Sequence, residues 1–458
     1  MRRALSISGS VLALVIAAGF SPAVFQRTAV LQQTIVAQGR GGAPSLRVDP
    51  FWPQPLPNHW VFGSVTGVAV DAQDHVWVTH RGADSLEGNE KGMMANPPTS
   101  AKCCVAAPFI LEFDPSGKLV SNFGGPGQGY QWPQSPGGIA VDAKGNIWIA
   151  AAGLEPAPSG GRGRGTAAAD PDAVGPPGAR GRGDAARGGD ATARGGDAAA
   201  RGGAAGRGRG AAPAGPADAH VLKFAKDGKF LLQIGTPGKM DGPDSQTTLN
   251  RPAAVAVDAA ANEVFVADSG NHRIVVFDSE SGAYKRHWGA YGEKPTAADS
   301  SAYDPAATPA RQFRDVTCVE IAKDGMVYVC DRTSNRIQVF QKDGKFVKEG
   351  TVSKDTKGVT VGGAAALPNF IVSSAGSVWD LAFSNDAAQR YVFVADGHNK
   401  KVHVLQRDTL AEVGSLGSGG RLAGQFLAVG SIATDSRGNV YTGEQHHGKR
   451  VQKWIPGR

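Results

Sequence analysis

The chain repeats one pattern of apolar and polar positions six times. In GGIAVDAKGNIWIA (137–150) apolar residues alternate with small or polar ones, break at a turn rich in Asp, Gly and Asn, and then alternate again. The other copies are TGVAVDAQDHVWVTH (66–80), AAVAVDAAANEVFVAD (253–268), TCVEIAKDGMVYVCD (317–331), WDLAFSNDAAQRYVFVAD (379–396) and GSIATDSRGNVYTGE (430–444). A period of two on either side of such a turn predicts a β-hairpin. Segments such as HVLKFAKDGKFLLQIG (220–235), RIVVFDSESGAYKRHWG (273–289) and RIQVFQKDGKFVKEG (336–350) add a third and a fourth strand. Each unit is therefore expected to form a four-stranded antiparallel sheet.

One such sheet cannot bury both of its faces. Radial packing around a channel covers them and leaves only short edges. The compact units run roughly 45 to 50 residues, as propeller repeats do. The last copy stops after RVQKWIP (450–456), one strand short, and Leu46 to Trp52 precedes the first copy with no unit of its own. That segment is expected to supply the missing outer strand. The predicted fold is all-β, a six-bladed β-propeller closed by an N-terminal strand in its last blade.

The repeats run from about residue 45 to the end, so one domain, 45–458, is expected. Arg2 and Arg3, the apolar stretch Val11 to Phe20 and the small residues Ser21-Pro22-Ala23 have the layout of a secretory signal peptide over 1–23. An uncleaved anchor is the alternative, and both imply export, to a periplasm or outside the cell. Residues 24–44 read as an unstructured lead-in. Two insertions interrupt the ring. The first, 82–107, carries Met93, Met94, Cys103 and Cys104. The second, 152–218, is built from Ala, Gly, Arg, Asp and Pro, cannot bury a core, and is expected to be disordered.

Charge adds little. The formal net charge is +7, but Arg2 and Arg3 sit in the signal segment, and 151–218 holds nine Arg against six Asp and one Glu. The folded remainder is close to neutral. The RGG-like repeats of the second insertion lack aromatic residues for base stacking, and Asp offsets their charge, so nucleic acid is not an expected partner. Nor is a membrane, beyond export. Cys318 and Cys330 are symmetric about the turn residue Asp324 and face each other across a hairpin. They form either a cross-strand disulfide or two buried thiols. The four cysteines lack zinc-finger spacing.

Candidate chemistry gathers where the hairpins end. Four hairpins close on an acid and the next strand opens with a base: Asp268 with Arg273, Asp331 with Arg336, Asp396 with Lys401, Glu444 with Arg450. A pair repeated in several blades reads as a loop brace. The channel mouth should present His80, Arg81, Arg332, His398, Gln445, His446 and His447. Trp379 should stand in the channel, placed to plug it. His398 and His446 lie in neighbouring blades and could meet. A positive mouth suits an anionic group such as a peptide carboxylate.

ADSGNHRIVVFD (267–278) and CDRTSNRIQVF (330–340) resemble the NHL repeat. GVAVDAQDHVWVTHRGAD (67–84) is similar to a branch of it, the peptidyl-α-hydroxyglycine α-amidating lyases, whose HRG loop matches His80-Arg81-Gly82. That resemblance implies a six-bladed propeller, zinc held by three His, a catalytic Tyr, and Arg81 as a catalytic residue. The matching zinc positions here are Gly137, Thr317 and Gly430, and the loop Asp268-Ser269-Gly270-Asn271 has no Tyr. Gly offers no side-chain ligand, and three ligands are the usual catalytic minimum. The expectation is therefore an exported, non-catalytic propeller that binds a peptide or protein on its loop face, with no cofactor. The alternative is a lyase-like enzyme with a rearranged metal site, and only that alternative calls for zinc or calcium. A calcium-dependent lactonase would need several acids in the channel, where Asp380 is the one clear candidate. No nucleophile-elbow pattern is present.

Overall fold

Each repeated hairpin grows into a four-stranded antiparallel sheet in the computed structural model, which describes residues 42–152, 217–296, 303–357 and 376–457. The inner strands of blades one to six are Val65–Val70, Pro136–Val141, Pro252–Asp258, Val316–Ile321, Asp380–Phe383 and Val429–Thr434. In blades one to five each inner strand is followed outward by three more in chain order. Blade six takes its outer strand from the other end of the chain. Leu46–Asp49 pairs antiparallel with Val451–Pro456, Leu46 opposite Pro456 and Asp49 opposite Lys453. Each inner strand packs on those of the two neighbouring blades, and the sixth packs on the first, so the ring is closed. The six-bladed propeller and its closure are as the repeats predict.

The core lies between blades. Phe265 and Trp288 of blade three pack with Val319, Val329 and Phe340 of blade four. Ala382 and Phe393 of blade five pack with Ile432 and Trp454 of blade six. A buried side chain of this size contributes about 1.5–3 kcal/mol, so blade-to-blade contact, rather than the single hairpin, stabilises the ring. The repeated turn Asp has a partner in the second strand of its own blade. Asp71 Oδ2 accepts from Trp77 Nε1 at 3.1 Å, Asp142 Oδ2 from Trp148 Nε1 at 3.1 Å, and Asp435 Oδ2 from the Tyr441 hydroxyl at 2.9 Å. This is why Asp and an aromatic residue recur six positions apart.

The acid at the end of the second strand holds the loop leading into its own blade. Asp268 Oδ1 accepts Asn250 N–H at 2.7 Å, Asp331 Oδ1 accepts Arg314 N–H at 2.9 Å, and Glu444 Oε2 accepts Leu427 N–H at 2.6 Å. Their carboxylates pair with Arg273, Arg336 and Arg450 respectively. Blade five departs from the expected scheme. Asp396 lies opposite Lys401 in register, but its Oδ2 meets His403 Nε2 at 2.9 Å instead. His403 is buried and approaches from the sheet face, whereas Lys401 is partly exposed. In blade two Asp218 takes the acid's place, accepting the Gln134 and Ser135 N–H groups at 2.9 and 2.8 Å. In blade one His80 does so.

The signal segment 1–23, nearly all of the lead-in 24–44 and all but the ends of the insertion 152–218 lie outside the described residues. The insertion 82–107 is described. It opens with a 3-10 turn, Gly82–Ser85, and Val105–Ala106 pairs in parallel with Trp60–Val61. Lys449 of blade six pairs with its Glu90, and His447 with its Glu87 at 2.7 Å.

Candidate functional site

A cavity of about 400 Å³ opens on the propeller axis at the end where the second strands finish. Every blade contributes the residue at one register position, the start of its inner strand: Thr66, Gly137, Ala253, Thr317, Trp379 and Gly430. In blades one, three, four and six the pairing slips at this residue, and in blade two the slip includes it. A bulge there turns a side chain toward the axis. These are the positions at which the lyase resemblance requires its zinc ligands, and none is His. The room for a side chain is also taken. A Cβ on Gly137 would lie 2.9 Å from the Ala253 carbonyl oxygen and 2.8 Å from Ala152 Cβ, and one on Gly430 would lie 2.6 Å from Gln445 Nε2. The three-His zinc centre does not fit this wall.

Arg81, Arg251 and Arg332 line the cavity with Gln445 and His446. Arg332 is committed within the protein. It pairs with Asp315, Nε to Oδ2 at 2.7 Å, and its guanidinium lies 4.9 Å from the centroid of the Trp379 ring. Arg81 is not. Its guanidinium makes no side-chain hydrogen bond or ion pair among the described residues, and its Nε is shut away from solvent with no partner. Burial pulls its pKa down, as does the like charge of Arg332, while Asp218 acts the other way. A guanidinium stays charged regardless. His446 is neutral near pH 7, since burial first, and then Arg81 and Arg332, push its pKa down to about 4.

Two acids complete the wall. Asp380 Oδ2 accepts Ile432 N–H at 2.9 Å, and its Oδ1 accepts Leu381 N–H at 2.9 Å. Burial still raises its pKa to about 7. Glu320 has no side-chain hydrogen bond among the described residues. Burial, and then the nearby Asp380, raise its pKa well above the usual carboxylate range. Both acids line the axial cavity.

The family signature that matches is the NHL repeat, over residues 249–277. The chain is a six-bladed β-propeller that carries an NHL repeat. It is similar to the protein brain tumor of Drosophila melanogaster, 30% identical over 135 residues, which cover 29% of this chain and 11% of that protein. The match thus spans about a ninth of that relative's length. Among solved structures, the propeller is similar to a streptogramin B lyase, at 10% identity and a TM-score of 0.42, covering 90% of this chain and 98% of that one. It is also similar to virginiamycin B lyase from Staphylococcus aureus, at 10% identity and a TM-score of 0.40, covering 86% and 85%. Likeness that slight carries no argument about what this chain does.

Of the residues singled out in the sequence, Arg81, Arg332, Trp379, Gln445 and His446 line the cavity of the NHL-repeat propeller. His80 and His398 are not among its lining residues. His80 is fully buried in the loop of blade one. Its Nδ1 accepts the N–H groups of Gly63 and Gly82, each at 3.0 Å, and its Nε2 donates to the Pro108 carbonyl at 2.8 Å. Both ring nitrogens are occupied, so His80 shapes the loop that carries Arg81 and offers no atom to a ligand. Trp379 forms one wall, with Nε1 donating to the Gly376 carbonyl at 2.8 Å, and leaves the cavity open beside it. Cys318 and Cys330 face each other in register, Cα atoms 4.9 Å apart and sulfurs bonded, away from the cavity lining. Cys103 and Cys104 are bonded to each other.

Glu320, Arg251, Asp315 and Ser269 were not singled out. Glu320 had a signal. Its register position, opposite an aromatic residue of the second strand, holds Ala69, Ala140, Ala256, Ala382 and Ala433 in the other five blades. A carboxyl replaces methyl in one copy only. Arg251 and Asp315 sit in the connecting loops, outside the repeated pattern, and had none.

Among the described residues, Asp71, His75 and Glu112 are the group whose ligand atoms lie close enough to share a metal ion. Those atoms are already engaged. His75 Nδ1 meets Glu112 Oε1 at 2.6 Å, and Lys226 Nζ lies 2.8 Å from Glu112 and 3.4 Å from Asp71. The lysine ammonium fills the place a cation would take.

Proposed function

We propose that this propeller is an exported binding module whose axial cavity receives the carboxylate of a peptide or protein partner on Arg81. The observation that carries the reading is the Arg81 guanidinium. It is enclosed, charged, unpaired among the described residues, and faces a cavity large enough for a small ligand. An enclosed cation with no partner is costly to keep, and a bidentate carboxylate is the complement of its planar fork. The Gly137, Thr317 and Gly430 positions favour binding over lyase chemistry, because neither their side chains nor the space around them fits a three-His metal site. Export rests on the signal-like segment 1–23.

The test pairs binding with turnover. Calorimetric titration of the full chain with short peptides should show binding that Arg81→Ala weakens by about 2 kcal/mol or more, with an unchanged thermal melt. Stoichiometric zinc together with glyoxylate release from a peptidyl-α-hydroxyglycine would overturn the binding-only reading.

A further inference from the structure

The cavity is polarised along the axis. Its rim carries Arg81, Arg251 and Arg332, and deeper in its wall stand the carboxyls of Asp380 and Glu320. The strand register gives the depth. Val65, opposite His80, marks the level of the Arg81 loop, and Asp380 stands at the level of Gly67, opposite Thr79 and one pairing step down because Thr66 bulges out of the register. Glu320 stands at the level of Ala69, opposite Trp77 and three pairing steps down, below every other lining residue of the inner strands. At a rise of about 3.3 Å per residue, the two carboxyls lie roughly 3 and 10 Å below the Arg81 loop. The Arg81 side chain itself reaches into that distance.

We propose that the cavity takes a zwitterion, a free di- or tripeptide held end to end, with its carboxylate on Arg81 and its α-ammonium at the Glu320 and Asp380 carboxyls. This rests on the Arg81 reading above. An extended peptide spans at most about 3.5 Å per residue, so two or three residues match the depth. The cavity volume of about 400 Å³ suits a ligand of that size. Among the described residues neither acid is paired with a cation: Asp380 is held by two backbone N–H groups and Glu320 by none. Their raised pKa values have the direction expected of carboxyls whose cation has yet to arrive. Glu320 is also the one blade-specific departure from Ala in its register. A structural role in the ring would recur in the other copies, as the turn Asp does.

Titration of the full chain with dialanine and trialanine, each as the free peptide, the N-acetyl derivative and the C-terminal amide, separates the two readings. The free peptide is expected to bind, with both derivatives weakened tenfold or more. Glu320→Gln and Asp380→Asn should weaken the free peptide tenfold and leave the N-acetyl peptide unchanged, which mere loss of fold cannot do. If the N-acetyl peptide binds as well as the free one, the ammonium site is wrong while the Arg81 reading stands. If the amide binds as well as the free acid, the Arg81 reading falls. If neither free peptide binds up to about 10 mM, both are overturned.

Discussion

Replacing Arg273 by Met removes the most deeply buried cation among the described residues and tests whether the repeated acid and base pairs hold the loops. Arg273 and Asp268 have no exposed side-chain surface, and Nε lies 2.8 Å from Oδ2. The same guanidinium donates to the carbonyls of Pro243, Ser245 and Thr248 at 2.8, 2.6 and 2.9 Å. Met fills a similar volume but donates nothing. Asp268 would keep the N–H of Asn250 and the amide of Asn271 while losing its only cation among the described residues. Burial already raises the Asp268 pKa, and the Arg273 charge is the largest influence opposing it. Breaking such a pair from one side costs about 3–5 kcal/mol. The control is Lys144→Met, which breaks a pair with Glu280 whose side chains are 61% and 52% exposed and should cost about 0–1 kcal/mol. Urea unfolding followed by tryptophan fluorescence reads both. The variant should also blur binding in the cavity, since Asp268 pins Asn250, the neighbour of Arg251. A loss below about 1 kcal/mol for Arg273→Met would refute the brace, and the recurring acids would need another explanation.

Two further outcomes follow from buried groups outside the cavity. Burial lowers the His80 pKa to about 4, so between that value and the ordinary 6.5 the unfolded chain binds the proton and the folded one does not. The contribution of His80 is therefore complete above about pH 6.5 and declines as pH falls, by about 3 kcal/mol at pH 4. The stability gap between wild type and His80→Gln should shrink over that range, and a gap independent of pH would remove the neutral-acceptor role. The Cys318–Cys330 bond closes a sequence separation of 12 residues. Cys318→Ala/Cys330→Ala should therefore lose about 2–3 kcal/mol, read as a shift in denaturation midpoint under oxidising conditions that vanishes when a reductant is added.

The architecture was legible because it is stated six times. Alternation gave the hairpins, the count of copies gave the blades, and the truncated sixth copy pointed to Leu46 as its missing strand. The braces were legible for the same reason, and the Lys401 exception shows the limit. Register placed it opposite Asp396, but a buried His403 two residues on reaches the same oxygen, and nothing along the chain ranks two bases by burial. His80 misled for a related reason. Its position beside Arg81 and the resemblance to an HRG loop both point to a ligand, yet its neighbours are the backbone N–H groups of Gly63 and Gly82, seventeen residues back and two residues on. Backbone partners at that distance leave no mark on side-chain identity. Arg251 and Asp315 belong to loops whose course is set only when the ring closes.

Repetition also supplies its own control, and that bears on what the cavity is for. Six blades built to one plan should face the axis with six similar residues, and at most levels they do, with Gly, Ala, Thr, Val or Ile. The departures are Arg81 in blade one, Arg251 and Ser269 in blade three, Asp315, Glu320 and Arg332 in blade four, Trp379 and Asp380 in blade five, and Gln445 and His446 in blade six. All line a single cavity. Substitutions needed to hold the ring would be spread around it, because each blade makes the same contacts with its neighbours. Substitutions gathered on one cavity, with a cation above and acids below that have no counter-ion among the described residues, break the sixfold plan where a ligand without sixfold symmetry would lie.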